Sequence, residues 1–426
     1  MDTRITIEKL VTGGQGLGRL DQKIAFIWGA LPGEDVEFRI IKKKKQFVEG
    51  VITKVFTSAV YRELPREEHY LICSPWQTIQ FAEENTWKIK IAKETYLRLG
   101  DLAAPDDLQI FTDGVEYNYR NKLEFSFTTN ESGMLSLGFH ERGSLWKTVA
   151  VPGCALGTNS INTTAPAIVT WLQSQSITSK QMKSVIVRSN QQGQTIAALF
   201  LKDRLAFSSF PIRPPEWLGF QIYFSNPLSP ASVPTELVYS DGDVTLTDDI
   251  DGKKCRYGLL SFFQINVPVF LKAVSDIGTF IEPGSKVVDY YSGVGSIGIS
   301  IAAKCSELTL VENNNEAAAF AAENITRNGL KTVKVSGLAA EQEAEPITKE
   351  SVVIIDPPRI GLHKKMVEVL LNKQPRRIIY LSCDLATQAR DVRLLTPLYQ
   401  PVFWKLYNFF PKTPHIEGLI ILERRG

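Results

Sequence analysis

From about residue 256 onward the chain alternates between short apolar runs and helical segments, and this alternation limits the possible folds more than any other feature. KVVDYY is followed by SGVGSIGISIAAK, and LTLVE by NNEAAAFAAENITRNG. SVVIIDPP precedes the helical KKMVEVLLNK, RIIYLSC precedes LATQARDVRLL, and HIEGLIILERR closes the chain. Short continuous apolar runs bounded by helices read as strands buried on both faces. The alternation predicts an α/β fold with a doubly wound, mostly parallel sheet. Ligands of such sheets bind outside the carboxyl ends of the strands, so the polar residues there are the first candidates for chemistry.

Four strand ends carry such residues. The first strand ends at Asp289, and Gly293, Gly295 and Gly298 follow in DYYSGVGSIG. Glycines there let the backbone approach a ligand as the chain turns into a helix. The next strand ends at Glu312, where a carboxylate can accept hydrogen bonds from a ribose diol. Strand, glycine turn, helix, strand and acid form the arrangement of an adenosine-containing cofactor, and leave both NAD and S-adenosylmethionine open. In VVIIDPPRIGL, Asp356 ends a strand and two prolines fix the backbone after it. A dehydrogenase has no need of that turn, whereas methyltransferases of nucleic-acid bases place an acid or amide followed by prolines there. The fourth end is Cys383, a thiol where a ligand is expected.

At 426 residues the chain exceeds one ordinary core, so two or three domains are expected. Residues 1–57 read as short strands with glycine turns, the pattern of a small β-barrel. Lys42, Lys43, Lys44 and Lys45 stand beside Phe47 there, a basic–aromatic pairing suited to phosphates and bases, or else a solvated hairpin. Residues 58–84 show no clear period, residues 85–99 have helical spacing ending at Gly100, and residues 115–250 are mostly strand-like with one helix at NTTAPAIVTWLQSQ. The expected domains are therefore the barrel, a β-rich middle domain (58–84 and 115–255), and the doubly wound domain (85–114 and 256–426).

The set DYYSGVGSIG, VE, DPPRIG, YLSCDLAT and HIEGLIILER resembles, in order, the uracil-5 RNA methyltransferases, which use S-adenosylmethionine. SFFQIN at 261–266 and YRNKLEF at 119–125 fit the same family, as does an N-terminal TRAM barrel of oligonucleotide-binding type. The resemblance implies a class I methyltransferase (Rossmann-like) domain and S-adenosylmethionine as cofactor. It implies Gln264, Asp289, Tyr291, Gly293, Gly295, Glu312 and Asp356 around that cofactor, and Phe262 against the target base. Arg120, Lys122 and the lysine run would hold RNA. Carbon 5 of uracil is a poor nucleophile, and adding a thiolate to carbon 6 makes it an enolate carbon that can attack a methyl sulfonium. A separate base must then remove the carbon-5 hydrogen. Cys383 matches the family's nucleophile and Glu417 its base.

Two departures stand out. Many relatives hold an iron–sulfur cluster on four cysteines, three in a C-x5-C-x2-C pattern. Here Cys73 remains, Glu67 and Trp76 stand at the other two positions, and Cys154 resembles the fourth ligand. Two thiolates cannot supply that set, so no cluster and no metal is expected. The family's Asn-Pro after the nucleophile is Asp384-Leu385 here, and an added carboxylate beside a thiol raises its pKa unless a cation offsets it.

The leading expectation is an enzyme making 5-methyluridine in structured RNA. The TRAM barrel favours 23S ribosomal RNA over transfer RNA. A catalytically weakened RNA-binding homologue and a cytosine methyltransferase are the competing readings. Hydrophobic content of 44%, charged content of 22% and a net charge of +2 describe a globular chain whose basic surface must be local. No apolar run approaches the roughly 18 residues of a membrane span, and MDTRITIEKL lacks a signal-peptide core. Five widely spaced cysteines suit a reducing cytoplasm. A monomer is expected.

Overall fold

The computed structural model describes residues 3–144, 147–229 and 231–426 in two compact units. Met1 and Asp2, which the sequence pattern includes in the barrel, lie outside the described residues. The first unit comprises Met1–Glu84, Val115–Leu246 and Pro411–Pro414. Its strands Thr3–Leu10, Gly16–Leu20, Lys23–Trp28, Asp35–Lys43 and Phe47–Thr57 close into a barrel. Alternation puts Ile5, Ile7, Ala25, Ile27, Val36, Phe38 and Val48 inside. Gly50 lets the barrel close on Phe38, whose ring would lie 2.4 Å from a Cβ at that position.

A buried carboxylate ties the barrel to the segment after it. Glu34 is fully buried and takes the Arg62 guanidinium at both oxygens (2.5 and 2.7 Å), the Leu31 N–H at 2.8 Å and the Ala59 N–H at 3.2 Å. Removing one member of a buried ion pair leaves the other uncompensated. Glu34→Ala is therefore expected to destabilise the protein by about 3–5 kcal/mol, read as a lowered urea midpoint at unchanged slope. A loss under about 1 kcal/mol would show that water solvates Arg62 once its partner is gone.

The same unit holds a seven-stranded sheet in the order Glu236–Gly242, Trp217–Phe224, Thr195–Leu201, Met182–Ser189, Lys122–Thr129, Leu135–His140 and Thr148–Ala150. The helix Asn159–Ser174 is capped by Thr158 and buries Ile161, Ala165, Ile168 and Leu172, one face at helical spacing.

The second unit comprises Asn85–Gly114, Thr247–Phe410 and His415–Gly426. Its eight-stranded sheet runs Val333–Ser336, Cys305–Val311, Ser285–Tyr290, Val352–Ile355, Arg377–Ser382, Glu417–Arg424, Tyr399–Tyr407 and Ile110–Phe111. The first five are mutually parallel, and Glu417–Arg424 is antiparallel to both its neighbours. The α/β class and the parallel sheet agree with the sequence pattern. The segment 85–114 adds the edge strand and Tyr96, whose hydroxyl donates to Gln388 Oε1 at 2.6 Å. The helix there spans Phe81–Gly100, one turn earlier than the spacing suggests, because the Glu84 N–H already bonds to Gln80 O.

This unit begins at Thr247 rather than at residue 256. Asn324 and Asn328, at the end of the helix Asn315–Arg327, accept the backbone N–H groups of Arg256 (2.7 Å) and Lys254 (3.0 Å). The hairpin containing them is thereby held to the doubly wound fold, a long-range pairing with no local signal. His363, to which the sequence assigns no role, caps the helix Lys364–Lys373.

Candidate active site

Because the central strands are parallel, Tyr290, Val311, Ile355 and Ser382 all end at one edge of the sheet, and the residues after them meet there. The turn after Tyr290 is tightly wound. Tyr291 (φ 60°), Gly293 (56°) and Gly295 (87°) all have left-handed backbones. A tyrosine in that region is uncommon and costs strain, which functional turns tolerate. Gly298 lies against Leu310 and Asp289, and a Cβ there would meet Leu310 at 2.4 Å.

Asp289 is fully buried beneath the turn. Its Oδ2 accepts the Gly298 N–H at 2.9 Å, while Oδ1 has no hydrogen-bond partner. Burial pushes its carboxyl up to about 8; the Gly298 N–H opposes this, and the Asp356 and Glu312 charges add to it. Glu312 accepts the Gly293 N–H at 2.9 Å and the Asn314 N–H at 2.7 Å, one at each oxygen. A carboxylate has about four lone-pair positions, so two remain for a diol. An orphaned buried acceptor, a turn opened by Gly293 and Gly295 and a pre-oriented carboxylate fit an adenosyl cofactor.

Beside this cradle lie the thiol and its neighbours. Cys383 joins the strand Arg377–Ser382 to the helix Leu385–Leu395 and is half-buried. Ser382 pairs with Gly418, and continuing that antiparallel register by one residue sets Cys383 opposite Glu417. Glu417 is only 4% exposed. Burial, then the Glu417 and Asp356 charges, push the Cys383 thiol up to about 12, while Arg359 pulls it down. Burial and Asp356 also hold Glu417 well above the carboxylate range, again opposed by Arg359. Asp356 is pushed up to about 7 by burial, against a bond from Gln264 Nε2 at 3.3 Å.

Asp384 contributes least to the thiol's shift among the charges acting on it. Its side chain is the N-cap of the following helix, accepting the Ala386 and Thr387 N–H groups, both at 3.0 Å. Asn and Asp are equally good caps, so the departure from Asn-Pro keeps the local fold. Sequence reasoning missed Arg359, a cation acting on both Cys383 and Glu417. The Arg in DPPRIG was its signal, read only as part of the motif.

The expected RNA-facing residues are distributed over both units. Phe262 is 64% exposed in the second unit, and its ring and carbonyl are the atoms a Cβ on Gly293 would approach, at 3.6–3.7 Å. An aromatic so exposed is not in the core. Lys42 to Lys45 are exposed at the tip of the last barrel hairpin in the first unit. Lys42 pairs with Glu49 at 2.8 Å and lies over the Phe47 ring. Arg120 and Lys122 belong to the seven-stranded sheet region, and Arg120 Nε donates to the Lys122 carbonyl at 3.1 Å.

The positions that resemble iron–sulfur ligands do not fit a four-thiolate cluster. Cys73 and Cys154 are the thiols at hand, with Glu67 between them. Trp76 is buried, and its indole N–H donates to Gly14 O at 3.0 Å, spending its one polar group on the barrel loop.

The sheet order, the glycine turn and the acids at successive strand ends define a methyltransferase of the doubly wound class. Residues 89–425 match the tRNA (uracil-5-)-methyltransferase family model, and residues 3–53 match the TRAM domain. The chain belongs to that family, enzymes that use S-adenosylmethionine to methylate carbon 5 of uracil in RNA. A protein of Azoarcus sp. named 23S rRNA (uracil(1939)-C(5))-methyltransferase RlmD is 27% identical, over 98% of this chain and 99% of its own length. A protein of Nitratidesulfovibrio vulgaris named as an uncharacterized RNA methyltransferase is also 27% identical, over 100% of this chain and 96% of its own. The Pyrococcus abyssi tRNA (uracil-54, C5)-methyltransferase, solved with S-adenosyl-L-homocysteine, has the same fold, with a TM-score of 0.77 at 20% identity. That likeness covers 99% of this chain and 100% of that one. No helix among the described residues is long and apolar enough to cross a membrane.

Proposed function

We propose that the protein makes 5-methyluridine in ribosomal RNA through a covalent Cys383–uracil adduct. The observation that carries the chemistry is the antiparallel register that sets Cys383 against Glu417 beside the cofactor cradle. The choice of 23S ribosomal RNA rests on the TRAM barrel together with the end-to-end match to the RlmD-named relative.

The Cys383 sulfur adds to carbon 6 of the uracil, its proton leaving to solvent or a neighbouring base, and the electron pair moves to carbon 5. S-adenosylmethionine, when bound, supplies an electrophilic methyl group carried on a sulfonium. Carbon 5 takes that methyl and keeps its hydrogen. Glu417 removes the hydrogen as a proton, the double bond re-forms, and the Cys383 thiolate leaves from carbon 6. One proton is released per methyl transferred. Both Cys383 and Glu417 must be deprotonated at their moments of action, and burial in the free site disfavours both anions. Arg359 favours both anions, and in this reading Asp356, Gln264, which bonds to it, and the exposed Phe262 hold the base. Asp384 still raises the Cys383 thiol, but least among the charges acting on it.

Labelled methyl transfer to ribosomal and transfer RNA lacking the modification, followed by nucleoside analysis, tests this reading. 5-Methyluridine in ribosomal RNA is expected. 5-Methylcytidine, or methylation of transfer RNA alone, refutes it.

The barrel's contribution is separable. Substituting Lys42 to Lys45 with glutamine is expected to weaken RNA binding and to lower the salt slope by about three, because Glu49 already neutralises Lys42. Unchanged affinity and slope would make the run a solvated hairpin.

A further inference from the structure

The first unit contains a second group of chemically active side chains, outside the methyltransferase site. Donor atoms of Glu67, Cys73 and Cys154 all lie within 4.8 Å of one another. Cys73 Sγ is 3.7 Å from Glu67 Oε2, and His69 Nε2 is 3.2 Å from Glu67 Oε1. The His69 side chain is 8% exposed, and its Nε2 faces that carboxylate oxygen. A buried ring nitrogen facing the same carboxylate that the two thiols approach has the character of a ligand.

We infer that Cys73, Cys154, Glu67 and His69 form a site for a single zinc ion. Zinc takes thiolate, imidazole and carboxylate together, in tetrahedral geometry. Bonds of about 2.0–2.3 Å put neighbouring ligand atoms roughly 3.3–3.8 Å apart. The separations of His69 from Glu67 Oε1 (3.2 Å) and of Cys73 from Glu67 Oε2 (3.7 Å) are of that size, each to a different oxygen of the carboxylate. Glu67 is already held in place, with the Ala155 N–H bonding one oxygen at 2.6 Å and Gln77 Nε2 the other at 2.8 Å. Such outer partners fix a ligating carboxylate. Glu67 and His69 also line a cavity of about 800 Å³, which opens a way in for the ion. Binding replaces the two thiol protons, so Zn²⁺ enters and two H⁺ leave, with a third from any His69 ring that starts protonated, while ionised Glu67 gives up none.

Two of these ligands are not cysteines, and the donor set holds one ion rather than a cluster. The site crosslinks the Tyr70–Cys73 helical turn to the loop before the helix Asn159–Ser174, a stretch where the chain lacks regular structure.

The full-length protein is purified without chelator from zinc-supplemented cells, and its metals are counted. About one zinc per chain and no sulfide-bridged iron is expected. Zinc-stripped protein titrated with Co²⁺ should develop the visible d–d absorption of a tetrahedral ion and a thiolate charge-transfer band. Cys73→Ser and Cys154→Ser should each weaken Co²⁺ binding more than about tenfold and remove the charge-transfer contribution of one thiolate. His69→Gln should keep both thiolates and still weaken binding. Cys383→Ala should change none of this. If the serine variants fail to fold, the parent's Co²⁺ spectrum and stoichiometry decide. Folded parent that binds neither ion, a Cys73–Cys154 disulfide in place of metal, or four irons per chain would each overturn the inference. Unchanged affinity in His69→Gln would refute the four-ligand assignment. Methylation assays are not needed for any of these readouts, so the outcome stands apart from the proposed function.

Discussion

Replacing Glu417 with glutamine is expected to turn the protein into one that captures its RNA covalently. The variant can still add the Cys383 sulfur to carbon 6 and deliver the methyl group to carbon 5. Glutamine cannot accept the carbon-5 proton, so the adduct persists. Loss of a general base costs on the order of 10²–10⁴ in rate. A protein–RNA band that survives denaturant should accumulate with S-adenosylmethionine present and vanish in the Cys383→Ala, Glu417→Gln double variant. Cys383→Ala alone should abolish turnover but retain cofactor binding through Asp289, Gly293 and Glu312. Normal turnover by Glu417→Gln, or an adduct formed without Cys383, would show the roles to be misassigned.

A stability measurement guards against misfolding as the cause. The folded protein holds Glu417 well above the ordinary carboxylate range because the side chain is buried. An unfolded glutamate releases its proton above about pH 4.3, so this group lowers stability as pH rises from there towards its folded value. Glutamine does not titrate. Glu417→Gln should thus be at least as stable as the parent at pH 7–8, with the margin shrinking towards pH 4. Lower stability at neutral pH would point to a structural defect.

The second large effect is expected at Arg359, the cation that pulls both Cys383 and Glu417 towards their anions. Raising a thiol's pKa by one unit cuts its thiolate fraction tenfold wherever the thiol form dominates. Arg359→Ala should therefore lower kcat at neutral pH by roughly tenfold, and the deficit should narrow as pH rises. Arg359→Lys keeps the charge and should recover most of the loss. A pH-independent rise in KM with unchanged kcat would instead make Arg359 a phosphate contact. Arg359 is exposed, so its effect should also weaken with added salt if it acts through charge.

Strand ends were the most legible part of this chain, since period and punctuation are local. Asp289, Glu312, Asp356 and Cys383 each follow an apolar run, and a parallel sheet has no choice but to bring such positions to one edge. The alternating barrel residues are legible for the same reason. Charges were read less well. Asp384 beside the nucleophile does raise the thiol, but least among the charges acting on it, and its oxygen is bonded to the Ala386 and Thr387 N–H groups of a helix start. Arg359 is marked only by its place in DPPRIG, which does not reveal the groups it acts on. Its influence on Cys383 exists because the strands Val352–Ile355 and Arg377–Ser382 are neighbours.

What sequence by itself determined was which residue types stand at strand ends and how far apart, because hydrophobic period, proline and glycine act over a few residues. Tertiary structure alone decided which of them share an environment. Glu417 becomes a candidate base by entering antiparallel beside Cys383, 34 positions earlier, and by the burial that goes with it. Glu67 and Cys154, 87 positions apart, converge only once the seven-stranded sheet is formed. Electrostatic coupling and metal-ligand geometry depend on distance through space, and no local pattern encodes that distance.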